Sequence, residues 1–260
     1  MLVSSVLSRR LLGAAVILVV SAAPARLSAQ SAEEHIALGD REHAAMNAMT
    51  AMQHYRIAIR VDSRSYEALW KLAREEVDIA EYAPQPQRDS LYTAAESYAR
   101  RAVEANPGDA EGHFHLARAL GRKALSLGKR DQVRYAGDVR SQALEALKFN
   151  PKHPGALHVM GMWNYNVMKL NGMSRFMAKN FLGGKVFDSA NWGDAQRYME
   201  ESVAVDPNRL IHHLDLARVL VARGEKEKAR EHYEHVVRGT RTEFNDAHVQ
   251  AEATAELKKL

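Results

Sequence analysis

Two histidines stand two residues apart in ANPGDAEGHFHLARALG (105–121), His113 and His115. On a helix that spacing turns them to roughly opposite sides, so one ion cannot take both. His232 and His235 flank Glu234 and share one helix face. They lack an HExxH pattern or a third ligand, and the Glu and Lys around them read as solvated surface. Gly183-Gly184-Lys185 looks toward a phosphate loop. Lys179 stands where the first glycine is needed and Val186 where Ser or Thr is needed, so the stretch reads as a helix stop after Phe181-Leu182. RKALSLGKRDQVR (122–134) holds five basic residues but no interleaved aromatics, which is a solvated helix end rather than a nucleic-acid patch. No nucleophile elbow, nucleotide fingerprint or complete ligand set accompanies these groups. They point to a non-enzymatic protein with no cofactor, no metal and no nucleic-acid partner.

The elements that hold these residues repeat. EALKFNPKHPGALHVMGMWNY (145–165), ESVAVDPNRLIHHLDLARVL (201–220) and RIAIRVDSRSYEALWKLARE (56–75) share the plan of the opening stretch. Each ends one apolar-periodic helix, turns at Ser63, Pro107, Pro151 or Pro207, and starts a second helix with fixed offsets. The second helices read Leu69-x-x-Leu72-Ala73, His113-x-x-Leu116-Ala117, Leu157-x-x-Met160-Gly161 and His213-x-x-Leu216-Ala217. This is a stripe on one helix face, with a small residue where another helix comes close. The first helices carry Ala51, Tyr55 and Ala58; Ala95, Tyr98 and Ala102; Ala143 and Ala146; and Ala195, Tyr198 and Val203. Ala229, Tyr233 and Val236 continue the pattern after Gly224-Glu225. Such hairpins bury their stripes only by stacking. The fold class is therefore all-α: an irregular tetratricopeptide-like helical-hairpin solenoid of about ten helices in four or so hairpins, with a capping C-terminal helix from about Asn245. The turns at Pro107, Pro151 and Pro207 lie 44 and 56 residues apart, longer than the ~34 of the standard repeat.

A stripe beside the core stripe faces the concave side. By offset it holds Trp70, Arg74, Phe114, Arg118, His158, Tyr165 and Arg218, with Arg74, Arg118 and Arg218 at one shared position. Guanidinium groups flanked by aromatics suit a protein or peptide partner with acidic groups or a free C-terminus, held by bidentate hydrogen bonds. The alternative at these positions is that the arginines pair with nearby acids such as Glu75 and Asp215 and only solubilise the surface.

Composition sets the surroundings. MLVSSVLSRRLLGAAVILVVSAAPARLSAQ has a basic start (Arg9, Arg10), an apolar run from Leu11 to about Val20, and small residues at Ala25 and Ala29. This is the pattern of an export signal over residues 1–29, leaving 30–260 as one helical repeat domain. Retained, the segment would anchor the chain to a membrane. Arg9, Arg10 and Arg26 leave with it, so 33 basic residues face 32 acidic ones and the net charge drops from +4 to +1. The absence of cysteine rules out disulfide staples, thiol catalysis and a lipoprotein-type anchor.

From Trp70 to the C-terminus the chain resembles the regulator of microtubule dynamics family. The resemblance lies in Trp70-Lys71-Leu72-Ala73-Arg74, in Pro151-Lys152-His153-Pro154 followed by His158, Gly161, Trp163 and Tyr165, in Met177-Ala178 and Phe181-Leu182-Gly183, and in Ala195 through Pro207. It implies an irregular tetratricopeptide-like fold and an adaptor character. The function expected is an exported, periplasmic or secreted scaffold that binds a protein or peptide in its groove. A self-assembling subunit of an envelope complex, and an unrecognised metal-binding protein or enzyme, are the alternatives.

Overall fold

A computed structural model describes residues 31–170 and 184–260. The expected leader at 1–29 and the Met177-Ala178 and Phe181-Leu182-Gly183 stretches lie outside the described residues. Among the described residues there are eleven α-helices: α1 (Ala32–Ala44), α2 (Ala48–Val61), α3 (Tyr66–Glu81), α4 (Gln85–Ala105), α5 (Ala110–Ser126), α6 (Lys129–Phe149), α7 (Pro154–Met168), α8 (Trp192–Val205), α9 (Leu210–Arg223), α10 (Lys226–Arg238) and α11 (Asp246–Leu257). A 3-10 helix, Gly184–Ser189, precedes α8. No strand occurs among the described residues, and no helix there is long and apolar enough to cross a membrane.

The helices pack as five successive hairpins, α1/α2 to α9/α10, with α11 laid against α9 and α10. The sequence pattern expected about ten helices in four or so hairpins; α1 is the helix it lacks. Its buried positions are Ala32, His35 and Gly39, which form no apolar stripe. A capping box between Ser31 and Glu34 starts it instead.

Turn chemistry repeats along the stack. Asp62, Asn106 and Asn150 each accept a backbone N–H two residues on, from Arg64, Gly108 and Lys152, the Asx turn that stops one helix and sets up the next. His113 and His213 then use Nε2 to donate to the carbonyls of Pro107 and Pro207, at 3.0 and 2.9 Å. Each carbonyl can only accept, so the proton is on Nε2 and the shared offset of the two histidines is a turn-to-helix tie.

The stripe lies in the core as its spacing requires. Leu69, Leu72, Leu116, Leu157, Met160 and Leu216 are buried, and Ala73, Ala117 and Ala217 are fully so. At the equivalent point of α7, an ideal Cβ on Gly161 would lie 2.5 Å from both Cγ and Sδ of Met199 and 3.2 Å from its backbone nitrogen. The α7 backbone thus rests directly on α8. On α8 the expected Ala195 is buried together with Met199 and Ser202, while Tyr198 and Val203 pack half-buried against the core. Ser202 Oγ also donates to the Pro154 carbonyl at 2.9 Å and accepts from His212 Nδ1 at 3.0 Å.

Candidate functional site

The inner helices α3, α5, α7 and α9, with α6, the 3-10 helix and the turn leading into α11, line a cavity of about 470 Å³ that is open to solvent. This lies within the range of ligand pockets. One wall is apolar and aromatic: Val139, Val159, Trp163, Val167 and Phe187, all buried. Trp163 is fixed by its indole N–H, which donates to the Ala136 carbonyl at 2.8 Å. Phe114 packs the tip of its ring against Gly155, where a Cβ would come 2.3 Å from Cζ. Only glycine lets the ring settle there.

The opposite wall is ionic. Arg118 pairs with Asp78, Arg122 with Glu81 at 2.8 Å, and Arg209 with Glu243 at 2.7 Å. Burial opposes the charge on Asp78, but Arg118 overrides it and holds the carboxyl below the usual range. Glu243 moves the other way: burial and the nearby Asp78 raise it against Arg209. Asp215 is buried, yet His158 at 2.9 Å and Arg218 hold it down to about 2.

A histidine group joins the two walls. His153 accepts the Ala156 N–H on Nδ1, capping α7 and leaving its proton on Nε2, which faces Glu111 at 3.2 Å. His115 Nε2 lies 3.5 Å from the other Glu111 oxygen. Burial resists the Glu111 charge, but the two imidazoles hold it well below the carboxylate range. Burial in turn pushes His115 down to about 4, so it is neutral near pH 7, stacked on Trp70 at 5.1 Å and 8°.

Trp70, Arg74, Phe114, Arg118 and His158 all line this cavity; Tyr165 and Arg218 do not. Tyr165 meets Trp192 edge-on at 6.0 Å, beside the last core cluster. Arg218 is taken up by Asp215, Glu252 and Glu256, at 2.9, 2.6 and 2.6 Å, because α11 lies over its part of α9. All three guanidiniums of the row meet internal carboxylates, the alternative that pairs them with acids such as Glu75 and Asp215. Arg74 binds Glu75 at 2.8 Å and Tyr55 Oη at 3.2 Å, and Arg118 and Arg218 also have internal carboxylates. Arg122, expected on a solvated helix end, is an ion-paired cavity residue. His232, expected in solvent, is half-buried with its Nδ1 2.9 Å from that of His213.

Sequence reasoning missed His115, His153, Asp78, Arg209 and Trp163 as lining residues. His153 carried one signal, its place just before Pro154, where N-caps fall. No group of three or more metal-binding side chains is assembled among the described residues.

The profile described as regulator of microtubule dynamics protein 1-3 matches residues 35–260. Regulator of microtubule dynamics protein 1 of Bos taurus is 27% identical over 149 residues, covering 56% of this chain and 46% of the relative. The Homo sapiens protein of that name is 28% identical over 142 residues, covering 54% and 44%. The match thus spans less than half the length of these relatives. Among solved structures, a thermophilic TPR protein of Thermus thermophilus superimposes with a TM-score of 0.63 at 16% identity, covering 86% of this chain and all of that one. That likeness shows the tetratricopeptide-type fold alone. With the family profile spanning nearly all of the described helices, the chain belongs to the regulator of microtubule dynamics family.

Proposed function

We propose that this chain is an exported scaffold that binds a protein or peptide partner in the cavity between α3, α5, α7, α9 and α11. The observation that carries the reading is the pairing of an apolar aromatic wall with an ionic wall in one cavity of about 470 Å³, on a fold built to present its inner helices to a partner. The relatives' name is that of regulators, which is in keeping with a binding role. Residues 1–29 would act as the leader.

In-cell crosslinking of the full chain, followed by mass spectrometry, tests the binding role. Leu125 lines the cavity and is 49% exposed, so Leu125→Asp leaves the core alone while placing a charge in the site. Partners recovered from the original chain and lost from the variant support the assignment; equal recovery refutes it. Light scattering after size exclusion separates the assembly-subunit alternative, which requires a discrete large oligomer. Amino-terminal sequencing of the mature protein tests the leader: a start at Met1 removes it.

A further inference from the structure

The four inner helices of an open solenoid form a gutter into which a partner segment can be laid sideways. Here the gutter is bridged. Asn245 Nδ2 donates to the Asp78 carbonyl of α3 at 2.8 Å, although 167 residues separate them. His248 stacks on Tyr82 at 4.0 Å, and Tyr82 Oη donates to Glu252 at 2.9 Å. On the other side Arg218 of α9 holds Glu252 and Glu256. The inner helices and α11 therefore make a closed ring around the cavity.

A closed ring can be threaded only by something with an end. The ring's charges are also spent on one another, through Arg118–Asp78, Arg122–Glu81 and Arg209–Glu243. Three large apolar side chains nevertheless stay exposed on the cavity, Tyr82, Leu125 and Phe244, at 36%, 49% and 39%. Exposed apolar groups that converge on one pocket mark an apolar recognition site. Resting on the scaffold reading above, we infer that the occupant is the free end of a polypeptide bearing bulky apolar side chains, and not a segment continuing on both sides of the site.

The test presents the full-length chain with two random-heptapeptide display libraries, one with a free end and one flanked on both sides by folded modules. Enrichment from the free-end library alone, with aromatic and branched aliphatic residues prominent, is the expected result. Equal enrichment from the flanked library, or enrichment of acid-rich sequences, overturns the inference while sparing the scaffold reading. No enrichment from either library overturns both. A second arm uses the cysteine-free background. Tyr82→Cys with His248→Cys, joined by a short thiol-to-thiol crosslinker, keeps the ring shut. Affinity for the enriched peptide should then stay within about twofold of that of the same double-cysteine variant before crosslinking, while Leu125→Asp in the original chain should weaken it about tenfold or more, since a carboxylate resists transfer to an apolar site. Loss of binding on crosslinking would mean that the ring must open, and the threading model fails.

Discussion

Replacing Gly161 with alanine tests the contact on which the hairpin stack depends. The new Cβ would sit 2.5 Å from Met199 Cγ and Sδ and 3.2 Å from the Met199 nitrogen. Ordinary carbon contacts lie near 3.5–4.0 Å, so roughly 1 Å must be found. Met199 is fully buried, and its backbone nitrogen belongs to α8 and cannot swing aside. Overpacking of this kind costs about 1–3 kcal/mol. Against it stands the helix-propensity gain of glycine to alanine, about 1 kcal/mol. Gly137 supplies the matched control: it lies inside α6, and a Cβ there meets nothing within 4 Å. Gly137→Ala should therefore stabilise by up to about 1 kcal/mol, and Gly161→Ala should fall below it by about 1–3 kcal/mol, the propensity term cancelling. Urea titrations followed by far-ultraviolet circular dichroism give both values. For a domain of this size each kcal/mol moves Tm by roughly 2–4 °C, a second readout. Two substitutions with the same effect would refute the close approach of α7 to α8.

Three further outcomes follow from the geometry. Ser202→Ala removes the acceptor of the buried His212 Nδ1–H and should cost about 1–3 kcal/mol in urea unfolding; a change near zero would show that His212 finds another partner. Arg218→Met strips the buried Asp215 and the two α11 glutamates of their shared cation. It should destabilise by about 3 kcal/mol and speed amide exchange across α11, and an unchanged exchange rate there would exclude Arg218 as the tie. Burial holds both His115 and His213 down to about 4, from an ordinary 6.5, so the unfolded chain takes up their protons first as pH falls. Their stabilisation is complete above pH 6.5 and is lost toward pH 4, at up to about 1.4 kcal/mol per pH unit for each. Asp215, near 2, adds its loss only below its unfolded value of 3.8. Burial raises Glu76 to about 7, which works the other way over this range, so the check is on variants: a change of urea midpoint between pH 7.5 and pH 5 that is the same with and without His115→Gln and His213→Gln would contradict this.

The periodic part of the fold was legible because it is local. The offset shared by Leu69, His113, Leu157 and His213 follows from one turn and one helix face, and all four are buried together. The same offset logic brought Trp70, Arg74, Phe114, Arg118 and His158 to one cavity. It failed at Arg218 for a physical reason. Helical spacing states which way a side chain points but not which helix comes to meet it, and α11 arrives from 34 to 38 residues further on. Asp78, Arg122 and Arg209 were illegible for the same cause. Their roles depend on pairings across elements, Arg118 to Asp78 and Arg209 to Glu243, that no repeat register contains. The α1 helix escaped because alanine, histidine and glycine do its packing.

The link between Asn245 and Asp78 also bears on how the chain folds. A linear stack of hairpins behaves as a row of nearest neighbours, assembling from any point and fraying from its ends. Contacts between adjacent hairpins form early because they close short loops, whereas a bond across 167 residues must wait until the intervening hairpins have ordered the path between its ends. Ring closure is then the last step of folding. While it holds, the carboxy-terminal end has no open terminus to unzip. The α9/α10 hairpin should melt together with α3 rather than ahead of it, giving a repeat protein the single cooperative transition of a globular one.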